Sequence, residues 1–281
     1  MRRRFIISAQ FNLMLKFSSL LFSTLLVMLI ACEETPQPGK QVLVSNKFQR
    51  KIIDSYWLYL PPNYSEEKKW PIILFLQGQD GISADPATCK NEGPVAARNS
   101  TVGKLVNKFI IINPHMTVGP IEERDWSQYS GALLQIVNDV SRTYSVDSNR
   151  LYLTGLSLGG TSTWSIAKQH PNVFAAIVPI SGRLSCNKDC DKLAAQRMWI
   201  IHNESDPRVS SRYSLNVVRY LEENLSVKFI QMPSVDSARK EDLLGDHLFA
   251  LPQTSDHDAW TTAYNSPQLY EWLLSKTKNN D

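Results

Sequence analysis

The sequence has little excess of charge of either sign. Its 281 residues contain 30 lysines and arginines against 27 aspartates and glutamates. Four of the basic residues and no acidic residue precede position 32, so the remaining chain has 26 basic and 27 acidic residues. Proteins that bind nucleic acid usually carry a clear basic excess. A nucleic-acid partner is therefore not expected.

Long hydrophobic runs are also scarce, and the longest lies near the N-terminus. The run Leu20–Ile30 follows the basic residues Arg2–Arg4 and Lys16 and is followed by the small residue Ala31. A basic segment, a short apolar segment and a small residue are the layout of a secretory signal peptide. The run is shorter than the roughly 20 apolar residues that a membrane-spanning helix needs. We therefore predict that residues 1–31 are a signal peptide.

The end of this segment, Leu29-Ile30-Ala31-Cys32, resembles the lipobox of bacterial lipoproteins, in which the cysteine is lipidated and becomes the new N-terminus. Buried acyl methylenes contribute about 0.8 kcal/mol each, enough for stable anchoring when several chains are attached. We expect a lipid-anchored protein of the bacterial cell envelope, at the outer membrane or facing the periplasm, with membrane contact only through Cys32. An ordinary signal peptide with a chance cysteine is the alternative, and translation starts at either Met1 or Met14.

Cysteine is rare, with four in the chain. In an exported protein the close pair Cys186 and Cys190 could form a local disulfide and leave Cys89 unpaired, but the spacing alone does not fix the pairing. No CxxC motif with histidines accompanies them, so no metal site is predicted. No cofactor is expected either.

Internal repeats and low-complexity tracts are absent from the sequence. Residues 32–45 begin with Cys32 and continue with the polar, proline-containing Glu33–Lys40, so we predict a tether there. Residues 46–281 have the length of one sizeable domain with a full hydrophobic core.

Short apolar runs alternate with amphipathic segments along this domain. The predicted strands are Ser55–Leu60, Pro71–Leu76, Phe109–Asn113, Arg150–Thr154, Ala175–Ile180, Met198–His202 and Val227–Gln231. The predicted helices are Ser127–Tyr144, Gly160–Gln169, Ser210–Glu223 and Pro267–Ser275. This alternation predicts an α/β fold with a mainly parallel central sheet and helices on both faces. The stretch from Ser234 to Thr254 has no regular pattern and is predicted to be an insertion or a flap near the site.

One motif indicates a chemical role for specific residues. Gly155-Leu156-Ser157-Leu158-Gly159 follows a predicted strand and precedes a predicted helix, which is the context of the G-x-S-x-G nucleophile elbow. The glycines allow strand and helix to approach closely, and the turn exposes the serine hydroxyl. Ser157 is the candidate nucleophile. The backbone N–H of Leu158 heads the helix and is a candidate oxyanion donor.

A serine nucleophile of this kind is followed in the chain by an acid and then by a histidine. Asp206 lies just beyond a buried strand, where ligands gather at the edge of a parallel sheet, and is favoured over its neighbour Glu204. Asp206 could also be an ordinary turn residue before a proline. His257 is favoured over His247 as the base, because Trp260 and Tyr264 follow it and could pack a helix behind the ring.

With these residues in view, the chain resembles the α/β-hydrolases of the bacterial envelope, described as predicted esterases, phospholipase/carboxylesterase-like or prolyl-oligopeptidase-like proteins. The resemblance runs from about Tyr56 to Leu274. It rests on Pro71–Gly78, Val146–Gly160, His202 with Asp206, His257–Trp260 with Tyr264, and Leu269–Leu274.

The resemblance implies the α/β-hydrolase fold and a catalytic triad of Ser157, Asp206 and His257. The chain departs from the family at Gln77, where a histidine outside the triad is usual. The following loop then supplies the second oxyanion donor, which we assign to the N–H of Gln79. Trp126 matches a family tryptophan and is expected either to bind substrate in the pocket or to pack.

The expected function is hydrolysis of carboxylic esters by a serine hydrolase. The substrate is a small-molecule or glycan ester with a short acyl group, including acetyl or feruloyl groups on plant polysaccharides by analogy with envelope relatives. Two alternatives remain: a serine peptidase of the prolyl-oligopeptidase type, and a non-catalytic envelope protein that binds glycans or a partner.

Overall fold

The centre of the molecule is a β-sheet of nine strands within residues 35–45 and 52–278, the part of the chain that the computed structural model describes. The predicted signal peptide and Cys32 lie outside these residues. The strands are β1 (Gln41–Ser45), β2 (Ser55–Tyr59), β3 (Trp70–Leu76), β4 (Ile110–His115), β5 (Val146–Leu156), β6 (Ala176–Ile180), β7 (Met198–Ile201), β8 (Ile230–Met232) and β9 (His247–Ala250).

The strand order across the sheet is β1-β2-β4-β3-β5-β6-β7-β9-β8. β2 runs antiparallel to β1 and β4, and every other pair of neighbouring strands is parallel. The predicted mainly parallel sheet is confirmed. Because β5, β6, β7 and β9 run in one direction, the segments that leave their carboxyl ends meet at one edge of the sheet.

Helices cover both faces of this sheet. In the described residues the α-helices are α1 (Gly103–Val106), α2 (Ser130–Thr143), α3 (Leu158–Gln169), α4 (Arg212–Leu225), α5 (Trp260–Tyr264) and α6 (Pro267–Ser275). The 3-10 turns are Gln79–Gly81, Pro86–Cys89, Gly93–Asn99, Ile121–Glu123, Trp126–Tyr129, Lys188–Leu193, Val235–Ser237 and Asp242–Leu244. No helix in the described ranges is both long enough and apolar enough to cross a bilayer.

The side chains of β3 alternate between two core clusters, one on each face of the sheet. Ile72 and Leu74 belong to one core cluster, together with side chains of α2, α3 and α4. Ile73 and Phe75 belong to a second cluster, with side chains of α1, α5 and α6. Successive side chains of a strand point to opposite faces, so a strand that is apolar throughout must be covered twice. Full burial stabilises each of these side chains by about 1.5–3 kcal/mol.

Two segments differ from their predictions. The stretch Ser234–Thr254 is not a flap, because it contains β9, which lies between β7 and β8 and whose residue Leu248 is fully buried. The predicted tether also extends too far, because Gln41–Ser45 form β1 and pair with β2 over five residues. Both strands are too short for their alternation to stand out in the sequence, and sheet pairing stabilises them.

The cysteine pairing is a local one. Cys186 and Cys190 form a disulfide, with their Cα atoms 5.7 Å apart. Cys89 is free and buried. Burial raises the pKa of the Cys89 thiol to about 12, so the thiol stays protonated at neutral pH. A protonated, buried thiol is a poor nucleophile.

Candidate active site

The turn between β5 and α3 presents Ser157 in a strained conformation. Its backbone has φ 53° and ψ −112°, in the positive-φ region that residues other than glycine rarely occupy. A Cβ atom on Gly155 would lie 2.5 Å from the backbone of Gly159, and one on Gly159 would lie 2.0 Å from the carbonyl oxygen of Leu76. Glycine is therefore required at both flanking positions, as the elbow motif predicts.

The fold brings Ser157, His257 and Asp206 into one hydrogen-bonded chain. The Oγ atom of Ser157 lies 2.8 Å from Nε2 of His257, and Nδ1 of His257 lies 2.6 Å from Oδ2 of Asp206. A carboxylate can only accept, so Nδ1 carries the proton and Nε2 accepts the serine hydroxyl. Of the two histidines that the sequence offered, His257 is thus the one that reaches the serine, and Asp206 is the acid that holds it.

The carboxylate of Asp206 is stabilised in its charged form. Burial by itself would raise its pKa, but the Val209 N–H, the His257 ring and the Arg208 N–H together hold the pKa below its ordinary value. Oδ1 accepts both backbone N–H groups, from Arg208 at 2.8 Å and from Val209 at 2.9 Å, which leaves Oδ2 for His257. Glu204, the rival acid, is exposed.

A second histidine, His202, supports the acid. The sequence placed His202 at the end of a predicted strand, near Asp206, and assigned it no role. His202 is fully buried, and its Nε2 lies 2.8 Å from the Val209 carbonyl and 3.3 Å from Oδ2 of Asp206. Its Nδ1 lies 2.8 Å from the hydroxyl of Ser214. Burial lowers the pKa of His202, so the ring is neutral and Nε2–H donates towards these oxygens.

Trp260 and Ser181 contact His257 and fix its position. The Trp260 ring stands edge-on to the His257 ring, with the centroids 5.1 Å apart. The backbone carbonyl of His257 accepts a hydrogen bond from the hydroxyl of Ser181 at 3.1 Å. Tyr264 is buried beneath, with its hydroxyl 2.9 Å from that of Thr154. The contacts with Trp260 and Ser181 hold the imidazole where the serine hydroxyl can reach it.

The loop after β3 is held by Gln77, the residue that departs from the family pattern. Its buried side-chain amide donates to the carbonyl of Gly81 at 3.0 Å, which closes the loop that contains Gln79. Gln79 lines the pocket beside Ser157, and Leu158 is the first residue of α3. The N–H groups of a first helical turn have no partner within the helix, so that of Leu158 is available to a ligand.

Trp126 does not line the pocket. It is fully buried, and its Nε1–H donates to the carbonyl of Gln77 at 3.1 Å. Of the two roles predicted for this residue, packing is therefore the one that the contacts support. The apolar ring lies in the core beneath the loop, where its one polar atom is satisfied.

The pocket itself has a cavity of about 340 Å³. Ser157 and His257 form part of its wall, together with polar side chains that include Asp80, Glu92 and Arg208. Burial and the nearby charge of Asp80 raise the pKa of Glu92 to about 7. A pocket of this size beside a serine that is hydrogen-bonded to a histidine is large enough for a small ligand.

A serine on a strand–turn–helix elbow, followed in the chain by an acid and a histidine at the carboxyl edge of a mainly parallel sheet, defines the α/β-hydrolase fold. The Esterase family, described as "Putative esterase", matches residues 45–265. That match covers more than half of the chain, so the protein belongs to this family.

Similar proteins include esterases and a peptidase. The chain is 27% identical over 154 residues to dipeptidyl-peptidase 5 of Porphyromonas gingivalis, covering 51% of this chain and 21% of that protein. It is 27% identical over 129 residues to the bifunctional acetylxylan esterase/xylanase of Neocallimastix patriciarum, covering 44% of this chain and 17% of that protein. The chain thus spans about a fifth of the length of these curated relatives. A solved thermostable esterase is similar with a TM-score of 0.67 at 21% identity, covering 85% of this chain and 63% of that one, which shows the shared fold.

Proposed function

We propose that the protein hydrolyses carboxylic esters through an acyl-enzyme formed on Ser157. The observation that carries the proposal is the unbroken hydrogen-bonded chain from Asp206 through His257 to the serine hydroxyl. Membership of the Esterase family supports the same reaction.

In the proposed mechanism, Oγ of Ser157 attacks the ester carbonyl carbon while Nε2 of His257 takes the hydroxyl proton. Asp206 keeps the ring in the required tautomer and stabilises the imidazolium. The imidazolium then protonates the departing alcohol. Water attacks the acyl-enzyme with His257 again acting as base, and the carboxylic acid leaves.

The negative charge that develops on the carbonyl oxygen is stabilised by backbone N–H groups. We assign these donors to Leu158, at the start of α3, and Gln79, in the loop held by Gln77. Each donor of an oxyanion hole lowers the barrier by about 3–4 kcal/mol. The N-terminal end of α3 adds a favourable helix dipole at the same position.

The test combines active-site labelling with hydrolysis of p-nitrophenyl acetate. Ser157→Ala is expected to abolish both fluorophosphonate labelling and hydrolysis. Ser165→Ala, which removes a hydroxyl from the same helix outside the triad, is the control and should behave like the wild-type protein. An unlabelled wild-type protein would favour the non-catalytic binding protein, and a Ser157→Ala variant that kept most of its rate would refute the assignment.

We further propose that the natural substrates are short acyl esters on carbohydrates. The polar wall formed by Asp80, Glu92 and Arg208 suits a hydroxyl-rich substrate, and one curated relative is named as an acetylxylan esterase. Acetate release from acetylated xylan, compared with hydrolysis of tributyrin, tests this. A clear preference for tributyrin would contradict it.

A peptidase is the second candidate, because another relative is a dipeptidyl-peptidase. The same triad can cleave amides, so activity on dipeptidyl p-nitroanilides must be measured beside ester hydrolysis. Turnover of these anilides at a rate comparable to that of p-nitrophenyl acetate would favour the peptidase.

The site of action is proposed to be the bacterial cell envelope, with a lipid anchor at Cys32. The proposal is supported by the basic, apolar and lipobox-like segments of residues 1–32. Incorporation of labelled palmitate in a bacterial host, and its loss in Cys32→Ser, is the expected result. Equal labelling of both forms would contradict the anchor.

A further inference from the structure

A second cleft lies at the opposite end of the sheet from Ser157. Five basic side chains line it: Lys68, Lys69, Lys104, Lys108 and Arg150. We call it the basal cleft; its volume is about 520 Å³. Trp70, which begins β3, also lines it. Arg150 precedes Ser157 by seven residues along β5, a distance of about 23 Å at 3.3 Å per residue.

The side chains that line the basal cleft carry an excess of positive charge. Arg150 is paired with Asp147 at 2.6 Å, but within the described part of the chain none of the four lysines has an ion-pair partner. The described residues that line the cleft include no aspartate or glutamate. The chain from residue 32 onwards has 26 basic and 27 acidic residues, so this cluster is a local accumulation of charge.

The N-terminal segment of the domain leaves the sheet beside this cleft. The N–H of Gly39 donates to the carbonyl of Leu60 at 2.9 Å, and a Cβ atom on Gly39 would lie 3.7 Å from Pro62. Pro62 lines the basal cleft. Cys32 lies seven positions before Gly39 in the chain, which at full extension is at most about 25 Å. If Cys32 carries the lipid proposed above, this length of chain is the upper limit on the distance between Gly39 and the lipidated residue.

We propose that the basal cleft binds the anionic headgroups of a phospholipid bilayer. Clusters of lysine and arginine near a membrane are attracted by anionic lipid, and each basic residue near the surface contributes about 1 kcal/mol. Binding through this end of the sheet turns the catalytic pocket away from the membrane, towards substrates in the surrounding space. The proposal draws on the lipid anchor proposed at Cys32, is tested without that anchor, and is independent of the proposed ester hydrolysis.

The experiment uses residues 36–281, because this compact unit contains the whole sheet and both core clusters and lacks Cys32. Its partition onto phosphatidylcholine vesicles is compared with its partition onto vesicles in which phosphatidylglycerol replaces part of the phosphatidylcholine. Binding to the anionic vesicles only, weakening as salt is added, is the expected result. Equal binding to both kinds of vesicle would overturn the proposal.

Two matched variants locate the binding surface. Lys104→Glu with Lys108→Glu is expected to lower partition onto the anionic vesicles by about tenfold or more. Lys228→Glu with Lys240→Glu makes the same charge change at exposed lysines outside the basal cleft and should leave most of the binding. An equal loss in both variants would mean that net charge alone matters, and the proposal would fail.

A third measurement separates the membrane from an acidic polysaccharide. Retention on immobilised polygalacturonate, without binding to anionic vesicles, would show that the partner is an acidic glycan. The proposed binding to a lipid surface would then be wrong. Hydrolysis of p-nitrophenyl acetate by the Lys104→Glu, Lys108→Glu variant should match that of the wild-type domain, because the basal cleft contributes no residue to the catalytic pocket. A matching rate also shows that this variant is folded.

Discussion

Nε2 of His202 lies 3.3 Å from Oδ2 of Asp206, the same oxygen that accepts the hydrogen bond from His257. The acid of the proposed triad therefore has a neutral, fully buried ring on one of its oxygens and two backbone N–H groups on the other. This arrangement fixes the carboxylate in place before any substrate binds, which is the preorganisation that electrostatic catalysis requires.

Replacing His202 by phenylalanine tests that support. Phe keeps the ring volume but leaves the Ser214 hydroxyl and the Val209 carbonyl without the histidine as partner. Unpaired buried polar groups are costly, so we expect the free energy of unfolding to fall by about 2–4 kcal/mol. We also expect a lower kcat, because Asp206 loses one of its restraints. Urea denaturation and ester hydrolysis measure the two effects, and an unchanged stability would show that the ring is not a structural partner.

Asp206→Asn should lower kcat by about 10⁴-fold with little change in structure. The two N–H groups of Arg208 and Val209 select the amide oxygen of the new side chain, so its NH₂ group faces His257. The ring must then accept at Nδ1 and carry its proton on Nε2, where it cannot act as base towards Ser157. Glu204→Gln is the control and should retain wild-type kcat. If that variant lost activity while Asp206→Asn kept it, the acid would be the neighbouring glutamate.

Glu92 makes stability depend on pH. Its pKa in the folded protein is raised from 4.5 to about 7 by burial and by Asp80. The folded state therefore binds the proton more tightly than the unfolded state, and the free energy of unfolding falls as pH rises between these two values. Solvent screens part of this effect, so the free energy of unfolding falls by on the order of 1–2 kcal/mol over this pH range.

The variant Glu92→Gln removes this titration. It is expected to be more stable than the wild-type protein at mildly alkaline pH and similar to it at mildly acidic pH. Urea denaturation of both proteins across this range measures the difference. Parallel stability curves for the two proteins would show that Glu92 is not the group responsible.

Two glycine substitutions are expected to act in opposite directions. Gly159→Ala places a Cβ atom 2.0 Å from the Leu76 carbonyl oxygen, so the elbow must open and the protein should lose about 4 kcal/mol or more. Gly131 lies in α2, where an added Cβ would have no atom within 4 Å outside the helix's own backbone. Gly131→Ala should therefore raise the free energy of unfolding by up to about 1 kcal/mol, because alanine has the higher helix propensity. Thermal unfolding of the two variants measures both, and a stable Gly159→Ala would contradict the tight elbow.

Several parts of the structure could be predicted from local sequence chemistry alone. The run Trp70–Leu76 is apolar throughout and forms a buried central strand, because no face of such a strand can be left in water. The G-x-S-x-G motif defines the elbow at Ser157, since only glycine leaves room for the close approach of strand and helix. The order of acid and histidine after the serine followed from the same motif.

Which distant residues meet depends on contacts between segments of the folded chain. Ser157 and His257 are 100 residues apart, and His257 and Asp206 are 51 apart, so no local pattern fixes their distances. The supporting roles of His202 and Gln77, the packing of Trp126 and the position of β9 between β7 and β8 likewise depend on contacts across the sheet. Local sequence sets what each segment prefers, but hydrogen bonding and burial between segments select the arrangement in which all of these preferences are satisfied together.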